Sequence, residues 1–310
     1  MAATNSESEK PSFETFQLFS TSSSSSALGI FDDVSSQQLP SIPPPPPSLE
    51  VYASQVPSSL NHNVETVNID DGLTLFKGRV NTQQVFGLSN SDLVPGKYEG
   101  GGLKLWEGSL DLIKALLSDI KSDFISFGGK RVLEVGCGHG LPGIFAMLEG
   151  ASAVHFQDFN AEVLRCLTIP NLNANLPGKS HPSSSANSTI CDKTEVRFFA
   201  GDWSDIDKLL PHVGTDANHT EGAGYDFILM AETVYSINSL QNLYNLIKKC
   251  LKHPDGVVYM AAKKYYFGVG GGSRRFLSLV EKDGIMSSSL VAEITDGSSN
   301  VREVWKLSVK

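Results

Sequence analysis

From residue 132 onward, the apolar positions of the chain fall into short runs that alternate with segments of helical spacing. Short apolar runs bounded by polar residues predict strands, and the segments between them predict helices. Such alternation is typical of a parallel sheet with helices on both faces. The predicted strands are 132–135, 153–156, 196–200, 226–231 and 257–262, with helices from about residue 160 and over 240–251.

Two further patterns flank this region. Residues 110–120 carry apolar side chains every three or four positions, which predicts a helix. Near the end of the chain, residues 290–295 and 301–309 lie on either side of a polar turn, which predicts a closing antiparallel hairpin. We therefore expect an α/β domain over residues 91–310. Its sheet should have seven mostly parallel strands in a Rossmann-like arrangement.

The first 90 residues have a different character. Residues 1–60 contain a serine run at 22–26 and a proline run at 43–47, and they have few apolar residues. Such a segment cannot offset the entropy of ordering the chain, so we predict a disordered tail. Residues 64–81 alternate between apolar and polar positions around Asp71-Gly72, which predicts an accessory hairpin within residues 61–90.

A glycine cluster directly follows the first central strand. Gly136, Gly138 and Gly140 come after the apolar run 132–135, and Pro142 suits the first turn of a helix. Glycine lets the backbone approach a ligand closely, and parallel sheets bind ligands beyond the carboxyl ends of their strands. The cluster is therefore a candidate nucleotide-type site, and a glycine turn without a ligand is the alternative.

The same glycines fit two ligand-binding patterns. Gly138, Gly140 and Gly143, followed by Asp158, match the dinucleotide pattern G-x-G-x-x-G. Glu134 to Gly140 reads E-x-G-x-G-x-G, which resembles the first motif of seven-strand S-adenosylmethionine-dependent methyltransferases. The glycines alone leave both alternatives open.

Polar residues stand at the ends of the next two strands. The carboxylate of Asp158 can accept hydrogen bonds from both hydroxyls of a ribose, and it can equally cap a helix. Asp202 offers an acceptor for an adenine amino group, and the neighbouring Trp203 offers a ring for stacking. A capping aspartate beside a partly buried tryptophan is the alternative for that pair.

The later strands end in residues that suit a reacting substrate. Glu232 and Tyr235 follow the fourth strand, where they can orient a nucleophile, although Tyr235 suits helix packing equally well. Residues 263–273 combine bulky aromatic residues with a glycine run, which is typical of a loop that clasps a protein substrate. Trp106 precedes a helix, where its ring can cover a cofactor or fill the core.

Charge and cysteine content narrow the class of protein. The net charge of -9 argues against a protein that binds nucleic acid through its phosphates and is compatible with a basic protein partner. The four cysteines lack C-x-x-C spacing, so we expect no metal site and no disulfide framework. The sequence has no signal peptide and no run of about 18 apolar residues, which predicts a protein of the cytoplasm and nucleus without membrane contact.

Taken together, six segments resemble the protein-histidine N-methyltransferase family, a group of class I seven-strand methyltransferases. The similarity runs from about residue 92 to residue 310. Tyr98-Glu-Gly-Gly, Leu105-Trp-Glu107 and the Tyr266 to Gly272 sequence are more specific to this family than the glycine motif is. The six segments are 93–109, 132–140, 157–160, 201–203, 232–235 and 267–272.

The resemblance implies direct transfer of a methyl group from S-adenosylmethionine to a ring nitrogen of a histidine in a large-subunit ribosomal protein. We further expect a monomer that has no direct requirement for nucleic acid. The residues implied to act on the substrate are Glu232 and Tyr235 as catalytic residues, and Tyr266, Phe267, Gly268 and Gly270 as substrate contacts.

The resemblance also implies a cofactor pocket. Leu105 to Ser109 would line it, Gly136 would lie by the methionine part, Gln157 to Phe159 by the ribose and Gly201 to Trp203 by the adenine. Two features depart from the family pattern: the run 100–102 carries an extra glycine, and Gly108 occupies a position where cysteine is common. The full candidate set is Leu105, Trp106, Glu107, Gly108, Ser109, Glu134, Gly136, Gly138, Gly140, Gln157, Asp158, Phe159, Asn160, Gly201, Asp202, Trp203 and Ala231.

Two other functions stay open at this point. One is a lysine methyltransferase of the related group that shares the acid-x-x-Tyr element. The other is a binding module that keeps the fold without catalysis. The product distinguishes the three functions: methylhistidine, methyllysine or no methylated protein.

The cofactor identity gives the first testable prediction. We expect calorimetry to show binding of S-adenosylhomocysteine and none of a nicotinamide dinucleotide. Asp158→Ala should weaken the cofactor affinity by about 1.5 to 3 kcal/mol, or roughly 10- to 150-fold, the range for a hydrogen bond to a charged group. Micromolar binding of the dinucleotide alone would contradict the assignment.

Overall fold

The computed structural model describes residues 43–310 except 61, 71, 90, 91, 95, 96, 99, 177–193, 214–222, 296, 298 and 299. Within this part of the chain, ten strands form one eight-stranded sheet and one two-stranded sheet. The strands are β1 (Leu49–Val51), β2 (Asn63–Asp70), β3 (Leu73–Arg79), β4 (Arg131–Val135), β5 (Ala153–Asp158), β6 (Glu195–Ala200), β7 (Phe227–Ala231), β8 (Val257–Lys263), β9 (Met286–Ile294) and β10 (Arg302–Val309).

The large sheet has the order β1-β6-β5-β4-β7-β8-β10-β9. The five strands from β6 to β8 pair in parallel, whereas β1 and β10 run antiparallel to their neighbours. Each of the five strands predicted from the apolar runs is present, and the hairpin β9–β10 closes the sheet. The predicted α/β fold with a mostly parallel sheet is confirmed.

Helices cover both faces of this sheet. They are α1 (Thr82–Phe86), α2 (Glu107–Lys121), α3 (Leu141–Leu148), α4 (Ala161–Val163), α5 (Ile169–Asn175), α6 (Leu240–Cys250) and α7 (Ser273–Asp283). One core cluster includes Ile113 of α2 and Phe145 of α3, and a second includes Leu243 of α6 and Phe276 of α7. In the part of the chain described here, no helix is long and apolar enough to cross a bilayer.

The predicted boundary of the N-terminal tail is wrong at its C-terminal end. Residues 1–42 lie outside the described residues, but Leu49–Val51 forms strand β1 against β6. Val51 is buried, and the carboxylate of Glu50 accepts two hydrogen bonds from the guanidinium of Arg197, at 2.8 and 2.7 Å. A three-residue edge strand of this kind depends on its partner, so the sequence pattern does not reveal it.

The accessory hairpin β2–β3 packs on helix α5 through side-chain amides. Asn175 exchanges hydrogen bonds with the backbone N–H and carbonyl of Phe76, at 2.8 and 2.7 Å. The side-chain oxygen of Asn171 accepts a hydrogen bond from Gly78 N, at 2.6 Å. The predicted turn residue Asp71 lies outside the described residues, and its neighbour Gly72 has a φ of 101°. The polar composition of residues 177–193 and 211–224 predicts surface insertions. Of these, residues 177–193 and 214–222 lie outside the described residues.

Helix α2 is anchored to the sheet by a buried ion pair. Arg302 Nε of β10 donates to Asp111 Oδ2 at 2.6 Å, and the two side chains are only 12% and 9% exposed. Removing one member of such a pair leaves an uncompensated buried charge. The pair therefore fixes the position of α2, whose first turn reaches the candidate site.

We expect Asp111→Ala to lower the free energy of unfolding by about 3 to 5 kcal/mol, since the buried Arg302 would lose the carboxylate with which it forms an ion pair. Lys121→Ala on the same helix is the matched control. It removes an exposed pair with Asp70, at 3.1 Å, and should cost less than about 1 kcal/mol. Urea denaturation measures both, and equal effects would show that the burial of Asp111 and Arg302 does not matter.

Candidate functional site

The glycine turn after β4 depends on backbone conformations that favour glycine. Gly136, Gly138 and Gly140 have φ values of 61°, 48° and 71°. A Cβ on Gly136 would lie 2.7 Å from the side chain of Thr233, and a Cβ on Gly140 would lie 2.8 Å from that of Thr168. The turn therefore approaches its neighbours so closely that any side chain would displace them.

Glu134 lies beneath this turn and supports helix α3. Its Oε2 accepts a hydrogen bond from Gly143 N in the first turn of α3, at 2.7 Å, and the side chain is buried. A carboxylate at a helix N-terminus is favourable. Burial raises the pKa of Glu134 well above its usual range, and the negative charge of nearby Asp158 raises it further. The structure thus gives this residue of the E-x-G-x-G-x-G motif a supporting place under the turn.

Asp158, at the end of β5, closes the other side of the turn. Its Oδ2 accepts a hydrogen bond from Gly138 N at 2.9 Å, and its Oδ1 accepts one from Asn160 N at 3.1 Å. Gly102 approaches the same carboxylate from the segment before α2. The carboxylate thus ties the glycine turn to the chain that follows β5, and its contact with a ribose stays a prediction. The neighbouring Phe159 is half-buried and Asn160 is buried.

Gln157 connects three strand ends. Its Oε1 accepts hydrogen bonds from Gly136 N at 3.2 Å and from the Trp203 indole at 3.0 Å. Its Nε2 donates to Gly201 O at 2.9 Å, and the whole side chain is buried. The amide therefore holds the glycine turn against the loop after β6.

Asp202 forms a local turn in that loop. Its Oδ1 accepts hydrogen bonds from the backbone N–H and the hydroxyl of Ser204, at 2.9 and 2.6 Å. The side chain thus bonds locally, and its predicted contact with an adenine amino group stays a prediction. The Trp203 ring, half-buried and tied to Gln157, lies beside Gly136.

Glu232 is the most unusual residue of the site. It follows β7 with a φ of 58°, and its backbone N–H donates to Ala261 O at 2.8 Å. Its Oε2 accepts a hydrogen bond from the Tyr266 hydroxyl, whereas its Oε1 is buried without a hydrogen-bond partner. Left-handed backbone at a residue other than glycine is strained and concentrates at functional sites.

The environment of Glu232 shifts its pKa upward. Burial raises the pKa of Glu232, while the Tyr266 hydrogen bond and the positive charge of Lys263 oppose that rise. Burial and the Glu232 charge together raise the pKa of Tyr266 as well, so its hydroxyl stays protonated and donates. The carboxyl group is thus held in place by one donor, and its other oxygen is buried beside Gly108 of α2 without a hydrogen-bond partner.

Helix α2 packs directly on this carboxylate. A Cβ on Gly108 would lie 2.7 Å from Glu232 Oε1 and 3.0 Å from its Cγ. The glycine that stands where the family often has cysteine therefore makes room for Glu232. Thr233 is also buried, and its hydroxyl has no hydrogen-bond partner. The sequence analysis missed Thr233, and no local pattern marks it.

The segment before α2 lies over the glycine turn. The Trp106 indole donates to Gly101 O at 2.7 Å, and Lys104 Nζ lies 4.4 Å from the centre of its ring. Gly102 O lies 3.1 Å from the Cβ position of Gly138. Of the other residues of this segment, Leu105 and Ser109 are half-buried and Glu107 is exposed. The half-buried Trp106 ring therefore stands near the turn rather than deep in the core.

The loop after β8 has an inner and an outer part. Gly271 N and Gly272 N donate to the carbonyls of Tyr235 and Val234, at 3.0 and 2.8 Å. Gly270 packs against Ile237, and Tyr266 points inward to Glu232. The outer part carries Phe267, which is 76% exposed, and Gly268, whose surroundings are open. Tyr235 is partly exposed, with its ring centroid 6.5 Å from that of Tyr266.

The predicted site residues thus meet at one edge of the sheet, around the carboxyl ends of β4 to β8. That strand order, with a glycine turn after its central strand and a closing antiparallel strand, defines the fold of the class I S-adenosylmethionine-dependent methyltransferases. Ala231 and Glu232 end the strand next to the glycine turn. Ligand binding at this edge agrees with the general rule for such sheets.

Sequence comparison identifies histidine protein methyltransferase 1 homologues as relatives. The chain is 42% identical to that of Dictyostelium discoideum over 223 residues, which is 72% of this chain and 62% of the relative. It is 37% identical to that of Mus musculus over 221 residues, 67% of this chain and 57% of the relative. The resemblance inferred from the motifs is confirmed. The chain spans less than two thirds of the length of either relative. No protein-family model matches the chain.

Other relatives are more distant. The protein N-terminal and lysine N-methyltransferase efm7 of Aspergillus fumigatus is 27% identical over 172 residues, which is 54% of this chain and 60% of that protein. Among solved structures, a SAM-dependent methyltransferase from Aquifex aeolicus is 17% identical with a TM-score of 0.42, covering 66% of this chain and 94% of its own.

The packing of the glycine loop leads to a stability prediction. A Cβ on Gly271 would overlap the carbonyl oxygen of Tyr235, so Gly271→Ala should destabilise the protein by about 1 to 3 kcal/mol. Phe267→Ala, in the same loop but exposed, should change stability by no more than about 0.5 kcal/mol. Thermal denaturation compares the two. A Gly271→Ala variant as stable as Phe267→Ala would show that the inner loop rearranges freely.

Proposed function

We propose that the protein is an S-adenosylmethionine-dependent methyltransferase that modifies a histidine ring nitrogen of a protein substrate. The fold and the sequence relatives support methyl transfer to a protein. The choice of histidine rests on the chemistry around Glu232 and on the names of the more similar relatives. A large-subunit ribosomal protein is the substrate that the family resemblance favours.

The residues at the sheet edge fit the cofactor. The glycine turn exposes backbone without side chains, the Asp158 carboxylate lies beside it, and in the described part of the chain two buried oxygens, Glu232 Oε1 and Thr233 Oγ1, have no hydrogen-bond partner. Buried polar atoms without partners cost free energy, so a ligand that supplies hydrogen bonds is favoured there. Gly136, Asp158 and Trp203 would hold the cofactor, which supplies an electrophilic methyl group when bound.

The observation that carries the proposal is the unpartnered oxygen of Glu232. A neutral imidazole has one N–H donor and one bare nitrogen with a lone pair. If Glu232 Oε1 accepts the N–H, the bare nitrogen is held on the opposite side of the ring, free to act as nucleophile. The carboxylate then fixes both the tautomer and the orientation of the substrate, and positioning of this kind can supply much of the rate enhancement.

The protonation cost also favours histidine. A lysine with a pKa of about 10.4 must lose a proton before it can attack, at about 4.6 kcal/mol at pH 7. A histidine with a pKa of about 6.5 is mostly neutral at that pH, for a cost of about 0.2 kcal/mol. Glu232 has a raised pKa and a donor on one oxygen, so it suits orientation of a neutral ring.

Mass spectrometry of modified protein tests the function. Purified enzyme and S-adenosylmethionine carrying a labelled methyl group are added to an extract from cells that lack the enzyme, and to isolated large ribosomal subunits. We expect labelled methylhistidine in both. Labelled methyllysine would establish the lysine alternative, and no label in any protein would favour the inactive binding module. Label in the extract but not in the subunits would exclude only the ribosomal substrate, and methyl transfer to another protein would stand.

The pH dependence of the reaction gives a further prediction. The substrate imidazole must be neutral, so the rate at saturating cofactor should rise through the mid-6 region and be flat by about pH 8. Glu232→Gln keeps an acceptor oxygen and should retain more activity than Glu232→Ala. A rate that climbs towards pH 9 or 10, with both variants equally inactive, would contradict this account and support lysine.

Tyr266 tests how Glu232 is held. Tyr266→Phe removes the hydrogen bond that lowers the pKa of Glu232, so that pKa should rise further and the carboxyl should protonate at higher pH. Activity should therefore fall more at pH 6 than at pH 8. The matched control is Tyr265→Phe, an exposed tyrosine one residue earlier. Parallel pH profiles for the two variants would refute a role of Tyr266 through Glu232.

A further inference from the structure

A second polar cluster is formed by residues on and beside the strands of the large sheet, away from the glycine turn. His155 is in the middle of β5, Glu195 begins β6, and His212 precedes β7. One potential ligand atom from each of the three side chains lies within 4.8 Å of the other two. His155 is three residues before Asp158, so the cluster is about 10 Å along the strand from the carboxyl edge.

The imidazole of His155 is fixed in orientation. Its Nδ1 makes a hydrogen bond of 2.7 Å with the Tyr225 hydroxyl, and the ring is fully buried. Its Nε2 points toward Glu195 Oε1 at 3.6 Å and has no hydrogen-bond partner. The Nε2 of His212 is likewise buried without a hydrogen-bond partner. Two buried nitrogens without partners carry a desolvation cost that the protein alone does not offset.

An ion pair does not explain this arrangement. The neighbouring charge of Arg197 is itself largely taken up by Glu50, through hydrogen bonds of 2.8 and 2.7 Å. Arg197 Nη1 also reaches Glu195 Oε1, but only at 3.9 Å, and it leaves the Nε2 atoms of His155 and His212 without partners, which a metal ion would supply.

We propose that His155, Glu195 and His212 bind a divalent first-row transition metal, with Zn²⁺ as the reference ion. Two imidazoles and one carboxylate form a donor set that suits zinc and leaves a further position for water. The hydrogen bond between His155 Nδ1 and the Tyr225 hydroxyl leaves Nε2 as the ligand atom, with Nδ1–H as the donor in the metal-bound state, as outer partners of metal-bound histidines do. The absence of C-x-x-C spacing in the sequence excludes only thiolate sites.

Binding requires the ligands to move closer together. Ligand atoms at about 2.0 to 2.1 Å from a tetrahedral zinc lie about 3.3 Å from one another. The rings of His155 and His212 are within 3° of parallel with centroids 5.2 Å apart, so His212 must tilt to bring its nitrogen toward the metal. His212 and Glu195 lie at the margin of the cluster, and Glu195 is 49% exposed, so these two side chains can make the adjustment.

The metal would stabilise the sheet and take no part in methyl transfer. It would connect β5, the start of β6 and the chain before β7, at a distance from Glu232. Its removal should lower the melting temperature and leave the affinity for S-adenosylhomocysteine unchanged. A failure of the metal proposal therefore leaves the proposed function intact, and the reverse holds as well.

Zinc binding to the tag-free, full-length protein tests the proposal. After dialysis against a chelator, competition with a chromogenic zinc indicator should show one ion bound with a Kd near or below about 1 μM. His212→Gln and Glu195→Gln should each weaken binding at least about tenfold, as loss of one ligand does. His253→Gln, at an exposed histidine outside the cluster, is the control and should match the wild type. Zinc should raise the melting temperature of the wild type and the control only.

The proposal would be overturned by wild-type protein that binds zinc no more tightly than about 100 μM, or by His212→Gln and Glu195→Gln variants that bind it as the wild type does. X-ray absorption at the zinc edge adds an independent readout. It should show nitrogen and oxygen ligands, and sulfur ligands would assign the ion to cysteines instead. Both variants change side chains at the margin of the cluster, so circular dichroism should show intact folds.

Discussion

The buried carboxylate of Glu232 is the group on which the rest of the site depends. It follows the strand next to the glycine turn, with a backbone φ of 58°, and elements from three parts of the chain surround it. Tyr266 donates to one oxygen, Gly108 of α2 lies against the other, and β8 accepts its backbone N–H. A strained residue persists only where its surroundings determine its conformation, and here they do so from three sides.

The two halves of the site differ in how far the protein satisfies its own polar groups. In the cofactor half, Glu134, Gln157 and Asp158 all make hydrogen bonds to the backbone of the glycine turn or helix α3. In the substrate half, Glu232 Oε1 and Thr233 Oγ1 are buried without protein partners. The cofactor half thus has its hydrogen bonds in place before a ligand binds. The substrate half leaves two buried oxygens whose hydrogen bonds a bound molecule would supply.

Elements near both ends of the described chain support the residues of the site. The ion pair between Asp111 and Arg302 holds α2 on the C-terminal strand β10, and α2 delivers Gly108 to Glu232. The accessory hairpin packs on α5 through Asn171, whose amide also donates to the carbonyl of His139 in the glycine turn, at 2.9 Å. Elements outside the central strands therefore position the residues at the strand ends.

The sequence predicts those parts of the fold whose signal is local. Strands buried on both faces read as continuous apolar runs, and glycines with φ above zero mark the turn, so β4 to β8 and the site edge were predictable. The three-residue strand β1 was not assigned, because its partner β6 rather than a local pattern stabilises it. The π-helical segment Leu164–Thr168 lies in the helix predicted from about residue 160, but no pattern marks its π geometry. Helix α7 was not assigned either, although its signal is local. α7 does carry an amphipathic pattern, with Phe276 and Val280 buried, that could have revealed it.

The sequence does not show which groups its polar side chains contact. The residues Glu134, Gln157 and Asp158 were selected as cofactor contacts, but only the structure shows that all three bind the protein backbone first. Gly108 stood out as a departure from the family pattern without an explanation. The explanation is the proximity of Glu232, a residue more than a hundred positions away.

The most direct test of the account is a crystal structure of the protein with S-adenosylhomocysteine and a peptide that contains the methylated residue and its neighbours. The account predicts an imidazole whose N–H lies within hydrogen-bonding distance of Glu232 Oε1, about 2.7 to 3.2 Å, with its other nitrogen facing the cofactor sulfur. A complex in which Glu232 Oε1 still lacks a partner, or in which the imidazole binds away from it, would contradict the central claim.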